Sequence, residues 1–61
     1  MVTVDLYIEH ETKNALLVYE DGMSEKVWIP KSQVQYRPHD TIKGAFEFTM
    51  SEWLAKEKGL I

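Results

Sequence analysis

Residues 26–36 read KVWIPKSQVQY, and the fold turns on how this stretch is taken. Val27 and Ile29 share one side of an extended chain, and Lys26 and Trp28 share the other, because successive side chains of a strand alternate. Pro30 has no N–H to give to a ladder, so the strand ends there or lies at a sheet edge. Val34 and Tyr36 then resume an alternation. The stretch is therefore strand, corner, strand. If the aliphatic pair faces the core, Trp28 points outward beside Lys26 as a platform. If not, Trp28 covers the sheet edge, packs on Pro30 or lies under the C-terminal helix, as the high average burial of tryptophan favours.

Toward the N-terminus, Val2, Val4, Leu6 and Ile8 alternate with Thr3, Asp5, Tyr7 and Glu9, the pattern of a half-buried strand. Residues 10–14 (HETKN) read as a turn. Residues 15–19 (ALLVY) are apolar on both sides and suit a central strand. Residues 20–23 form the next turn, with Asp21-Gly22 as a hairpin signal, and residues 25–29 form the third strand. Toward the C-terminus, a short fourth strand around Val34 and Tyr36 is closed by residues 37–40 (RPHD). Gly44 marks a bend, and residues 45–49 (AFEFT) alternate as a fifth strand.

The segment TMSEWLAKEKGLI predicts a helix over about residues 49–58. Thr49 as N-cap and Glu52 three residues on make a capping box. Met50, Trp53 and Leu54 then share the face that packs. Gly59 is placed for the left-handed residue after the helix, with Leu60 folding back as its apolar contact.

The expected fold is α+β and mainly β: a small bent antiparallel sheet, or SH3-like partial barrel, of about five short strands with a C-terminal helix. A flat sheet with the helix across one face is the alternative. Residues 1–61 form a single small domain. There is no cysteine, so the core must come from the 44% apolar residues, seven aromatics among them. No apolar run approaches a membrane span and the N-terminus has no signal-peptide pattern, so a cytoplasmic protein without membrane attachment is expected.

Net charge is −3, against strong non-specific binding to duplex DNA. Its distribution is uneven. Residues 1–25 carry Asp5, Glu9, Glu11, Glu20, Asp21 and Glu25 against Lys13, which is −5, whereas residues 26–45 carry Lys26, Lys31, Arg37 and Lys43 against Asp40, which is +3.

Catalytic constellations do not emerge. His10 with Glu9 or Glu11, and His39 with Asp40, lack the spacing of a recognised metal site and read as exposed turn histidines. Ser24, Ser32 and Ser51 have no base partner in sequence, and Lys31 and Ser32, adjacent on an extended chain, point apart. The isolated Gly22, Gly44 and Gly59 make no phosphate loop. No enzyme activity, metal or cofactor is expected.

Binding has more to stand on. Trp28 and Tyr36 lie among Lys26, Lys31, Arg37 and Lys43, the mixture of rings and cations that grips a single-stranded nucleic acid by stacking and phosphate tracking. The acidic first third, with Asp5, Tyr7, Glu9, Glu20 and Asp21, suits a basic surface on a partner protein. Surplus apolar surface would also be met by homodimerisation.

The motifs WIPKSQ (residues 28–33) and EWLAKEKGL (residues 52–60) resemble those of small phage and prophage proteins of no established function. The resemblance covers about a quarter of the chain and leaves residues 1–14 and the 37–44 loop unmatched. It implies a phage accessory role, in nucleic-acid metabolism or in redirecting a host or defence protein, and supplies no catalytic residue. It also implies that Pro30-Lys31-Ser32 is a corner that brings Trp28 toward Trp53, which favours a shared Trp28–Trp53 cluster in the core. The function expected is a non-enzymatic protein-interaction module; the alternative is a single-stranded nucleic-acid binder.

Overall fold

The computed structural model describes residues 1–22 and 25–61. The elements are β1 (Val2–Glu11), β2 (Ala15–Tyr19), β3 (Val27–Pro30), a 3-10 turn (Lys31–Gln33), β4 (Val34–Pro38), β5 (Ala45–Met50) and α1 (Glu52–Glu57). Among the described residues the five strands form one antiparallel sheet in the order β3-β2-β1-β5-β4. The domain is thus mainly β with a short C-terminal helix. Met23, in one expected turn, and Ser24, read as a serine without a base partner, lie outside the described residues.

The chain forces the sheet to bend. β3 and β4 are its two outermost strands, yet only the three-residue 3-10 turn joins them. Four peptide steps from Pro30 to Val34 reach at most about 14 Å, whereas the outer strands of a flat five-stranded sheet lie about 19 Å apart. The molecule accordingly measures 26 × 23 × 23 Å, nearly equal in all directions, and the flat alternative is excluded. β3 and β4 do not pair with each other, so the bent sheet stays open.

Both open edges are blunted. Lys31 N–H donates to Asn14 O and His39 N–H donates to Ala45 O, each at 2.9 Å. Continuing the alternation of an antiparallel ladder turns Val27 and Ile29 of β3, and Gln35 and Arg37 of β4, toward their partners. The backbones of Trp28 and Pro30, and of Tyr36 and Pro38, therefore face outward. The prolines have no N–H, and that of Val34 bonds Lys31 O. Among the described strand residues, each edge offers one free outward N–H, at Trp28 and Tyr36. Such edges resist pairing with another chain.

The core lies on the concave side of the sheet. Leu6, Leu16, Val18, Ile29, Phe48 and Met50 are fully buried, and Leu54, Ala55 and Leu60 close over them from the C-terminal segment. Leu16 pairs with Ile29, and Phe48 with Val4, so the aliphatic alternation of each strand meets that of its neighbour.

The helix differs from expectation at its start. Ser51, not Thr49, is the N-cap, and its Oγ accepts from Leu54 N–H at 3.1 Å. Thr49 belongs to β5, opposite Thr3 and Gln35, and Met50 is a buried strand residue opposite Val2 and Val34. With the start moved two residues on, the inward positions are Leu54 and Ala55, and Trp53 is left 68% exposed. The helix stop is as expected. Gly59 has φ +72, its N–H donates to Lys56 O, and Leu60 N–H donates to Ala55 O. This is the bonding of a Schellman motif, with Leu60 buried.

Candidate functional site on the outer face

The convex face of the sheet carries side chains that alternate with the core, and they divide into two halves. Over β1, β2 and β3 they are aromatic and apolar. Tyr7 of β1 is paired with Tyr19 of β2, and the rings stack with centroids 5.4 Å apart at 22°. Leu17 is paired with His10 on one side and Trp28 on the other, and His10 and Trp28 meet edge to face at 6.2 Å and 88°. Trp28 is 45% exposed; Tyr7, Tyr19 and Leu17 are half-buried and His10 is exposed.

A β-bulge assembles this patch. The β1–β2 register shifts between Ile8 and His10, so Glu9 is an extra residue and the alternation of β1 reverses after it. Without the shift, His10 would lie on the core side with Leu6 and Ile8. Instead it joins Tyr7 on the outer face, in a strand rather than in the turn expected for it. Lys26 completes the patch: its Nζ lies 5.8 Å from the Tyr19 ring centroid and 3.0 Å from Glu9 Oε1.

Over β1, β5 and β4 the outer face is polar. Thr3, Gln35, Arg37, Glu47 and Thr49 line a shallow groove of about 450 Å³ on this face, and Tyr36, whose ring turns to the core side, borders it only from between Gln35 and Arg37 on the edge strand. The Thr3 and Thr49 hydroxyls approach to 3.4 Å, and Arg37 Nε donates to Glu47 Oε1 at 2.9 Å. Beyond the groove, His39 Nε2 faces Asp5 Oδ2 at 3.5 Å. The His39 side chain is 14% exposed, so it is not the exposed turn residue expected.

Donor atoms of Asp5, His39 and Glu47 lie within 4.8 Å of one another, a spacing that suits a metal ion. The hydrogen bonds argue otherwise. His39 Nδ1 accepts the N–H groups of Thr41 (3.1 Å) and Ile42 (3.0 Å), which assigns its lone pair to Nδ1 and the ring proton to Nε2. A metal on Nε2 would need that proton moved to Nδ1, against two amide donors. Arg37 on Glu47 adds a competing cation. His39 instead holds the loop before β5 by accepting the Thr41 and Ile42 amides, with Asp5 facing its other ring nitrogen and Glu47 taken by Arg37.

The residues proposed for a nucleic-acid strip are not brought together. Trp28 is on the outer face of one edge strand. Tyr36 is on the core side of the other, stacked on Phe48 at 5.1 Å and edge-on to Phe46 at 6.2 Å. Lys26, Lys31 and Arg37 pair with Glu9, Glu11 and Glu47, and Lys43 sits in the turn before β5. The expected Trp28–Trp53 cluster does not form either: Trp28 packs against His10 on the outer face, and Trp53 is solvent-exposed.

Of the acidic set, Asp5 and Tyr7 are on the outer face, Glu9 is at the bulge, and Glu20 and Asp21 follow β2. The structure joins Tyr7 to Trp28, residues that the sequence assigned to different partners, and adds Tyr19, Leu17 and His10. The alternation of ALLVY could have signalled Tyr19 and Leu17; nothing local marks the bulge that recruits His10. The chain matches no model of a known protein family, no curated protein and no solved structure.

Proposed function

We propose that this domain is a non-enzymatic protein-interaction module whose docking surface is the outer face of β1, β2 and β3. The observation that carries the reading is the patch of Tyr7, Tyr19, Leu17, His10 and Trp28, held on the side of the sheet that the core does not use. Partly exposed aromatics that present large rigid area are the side chains on which protein interfaces most depend. The blunted edges support recognition by side chains on a face rather than by strand addition.

On this reading the sheet is an SH3-like partial barrel, a scaffold whose two outer strands are drawn together by the 3-10 turn. The protein acts in the cytoplasm. With the resemblance of its WIPKSQ and EWLAKEKGL motifs to small phage and prophage proteins, its partner is a host or defence protein that it inhibits or redirects. The alternative, a single strand stacked on Trp28 and Tyr36, has less support because those rings lie on opposite faces and three of its cations are paired with carboxylates.

Capture from cell extract on the immobilised protein tests the reading. Trp28→Ser and Tyr19→Ser, each with an unchanged circular-dichroism spectrum, are expected to lose the captured protein, and Arg37→Ser to keep it. Capture that survives both aromatic changes and is lost in Arg37→Ser would sink it.

A further inference from the structure

From the charge around the aromatic patch we infer that its occupant is an arginine-bearing basic segment of the partner protein. This rests on the reading of the outer face as a docking surface and names the chemistry that the surface selects. Asp5 stands beside Tyr7 on β1, Glu9 beside His10, Glu20 and Asp21 directly after Tyr19, and Glu25 just before β3. These stretches carry five carboxylates and one basic residue, Lys26, which pairs with Glu9, so the segments that bear the rings are net acidic. Aromatic faces set in negative potential attract cations, tryptophan most strongly.

The protein already holds one such cation. Lys26 Nζ sits between the Tyr19 ring, at 5.8 Å, and Glu9 Oε1, at 3.0 Å. Ring and carboxylate together make a seat for a positive group, and Lys26 occupies it from within the same chain. A partner guanidinium, planar and weakly hydrated, stacks on aromatic rings and bonds carboxylates better than an ammonium does. Its nearest rings are Trp28, which is 45% exposed, and the Tyr7–Tyr19 pair. Lys26 is then a competitor for the partner's charge, which sets the sign of its removal: Lys26→Ala strengthens binding of a basic segment and weakens binding of a nucleic acid.

The test is an amide and indole shift map of the labelled protein. It is titrated with a short unstructured arginine-glycine peptide, with the same peptide carrying citrulline for arginine, and with oligothymidylate. The arginine peptide is expected to shift Tyr7, Tyr19 and the Trp28 indole. Its affinity should fall roughly tenfold in Trp28→Leu, which keeps an apolar cover on β3, and rise in Lys26→Ala. The citrulline peptide should bind more weakly by a similar factor. Equal binding of both peptides at the patch overturns the cationic occupant and leaves the docking surface standing. Patch shifts with oligothymidylate alone, weakened in Lys26→Ala, overturn both in favour of nucleic acid. No shifts at the patch with any of the three overturn the arginine occupant, leaving the surface to the capture experiment.

Discussion

Trp28 and Ile29 are neighbours in the chain and belong to opposite sides of the protein: Ile29 is fully buried against Leu16, and Trp28 stands 45% exposed beside Leu17 and His10. Their substitution should separate core from surface. Ile29→Ala leaves a cavity and is expected to cost about 2–5 kcal/mol, enough to unfold much of a small domain. Trp28→Thr keeps a strand-forming residue at an edge and is expected to cost about 1–2 kcal/mol, with the protein still folded. Urea unfolding of the two variants reads the difference. A Trp28 variant as damaged as the Ile29 variant would return Trp28 to the core.

The helix cap gives a second comparison. Ser51→Ala removes the Oγ that accepts from Leu54 N–H and should cost about 1 kcal/mol. Thr49→Ala, the change that a cap at Thr49 would make costly, loses a 3.4 Å hydroxyl contact with Thr3 and should cost about half that or less. Gly59→Ala places a Cβ at φ +72 and should cost about 1–2 kcal/mol. Thermal unfolding of the three ranks them.

Pro30 and Pro38 are expected to keep the protein from pairing through its edges. The double variant Pro30→Thr, Pro38→Thr restores an outward N–H at each edge and should self-associate with rising concentration, where the parent protein does so less. Light scattering across a concentration series decides this. Equal behaviour of the two would mean that bending of the sheet, not proline, protects the edges.

His39 should carry its proton on Nε2, because Nδ1 accepts from the Thr41 and Ile42 amides. Long-range proton–nitrogen correlation on the labelled ring distinguishes the tautomers directly. Zinc should leave the melting temperature unchanged. A zinc-induced rise, lost in His39→Gln, would show that the Asp5, His39 and Glu47 donors can reorganise around a metal.

The parts of this fold that were legible in the sequence are those decided locally. The alternation of residues 2–8 placed Leu6 inside, and Gly59-Leu60 stopped the helix, because a positive φ and a single apolar contact are settled within one turn. The helix start was not settled in this way. Thr49 and Ser51 are both capping residues, and the choice fell to Met50, which pairs with Val2 and Val34 from distant parts of the chain and extends β5. Trp53 lost its inward place with that shift. The patch was hidden for the same reason. Trp28 and Tyr36, eight residues apart, read as one strip until β5 inserts between β1 and β4 and puts them on opposite edges. The bulge at Glu9, which turns His10 outward, leaves no local mark in an otherwise regular alternation.

Photocrosslinking from single positions reports which face of the sheet meets the partner. A photoreactive phenylalanine analogue is placed at Trp28 in one protein and at Tyr36 in another, and each is irradiated in cell extract. The outer aromatic face, as the docking surface, predicts a discrete protein adduct from position 28 and none from position 36. An adduct from position 36 with none from position 28 would place recognition on the other face and rule out the outer aromatic patch as the docking surface.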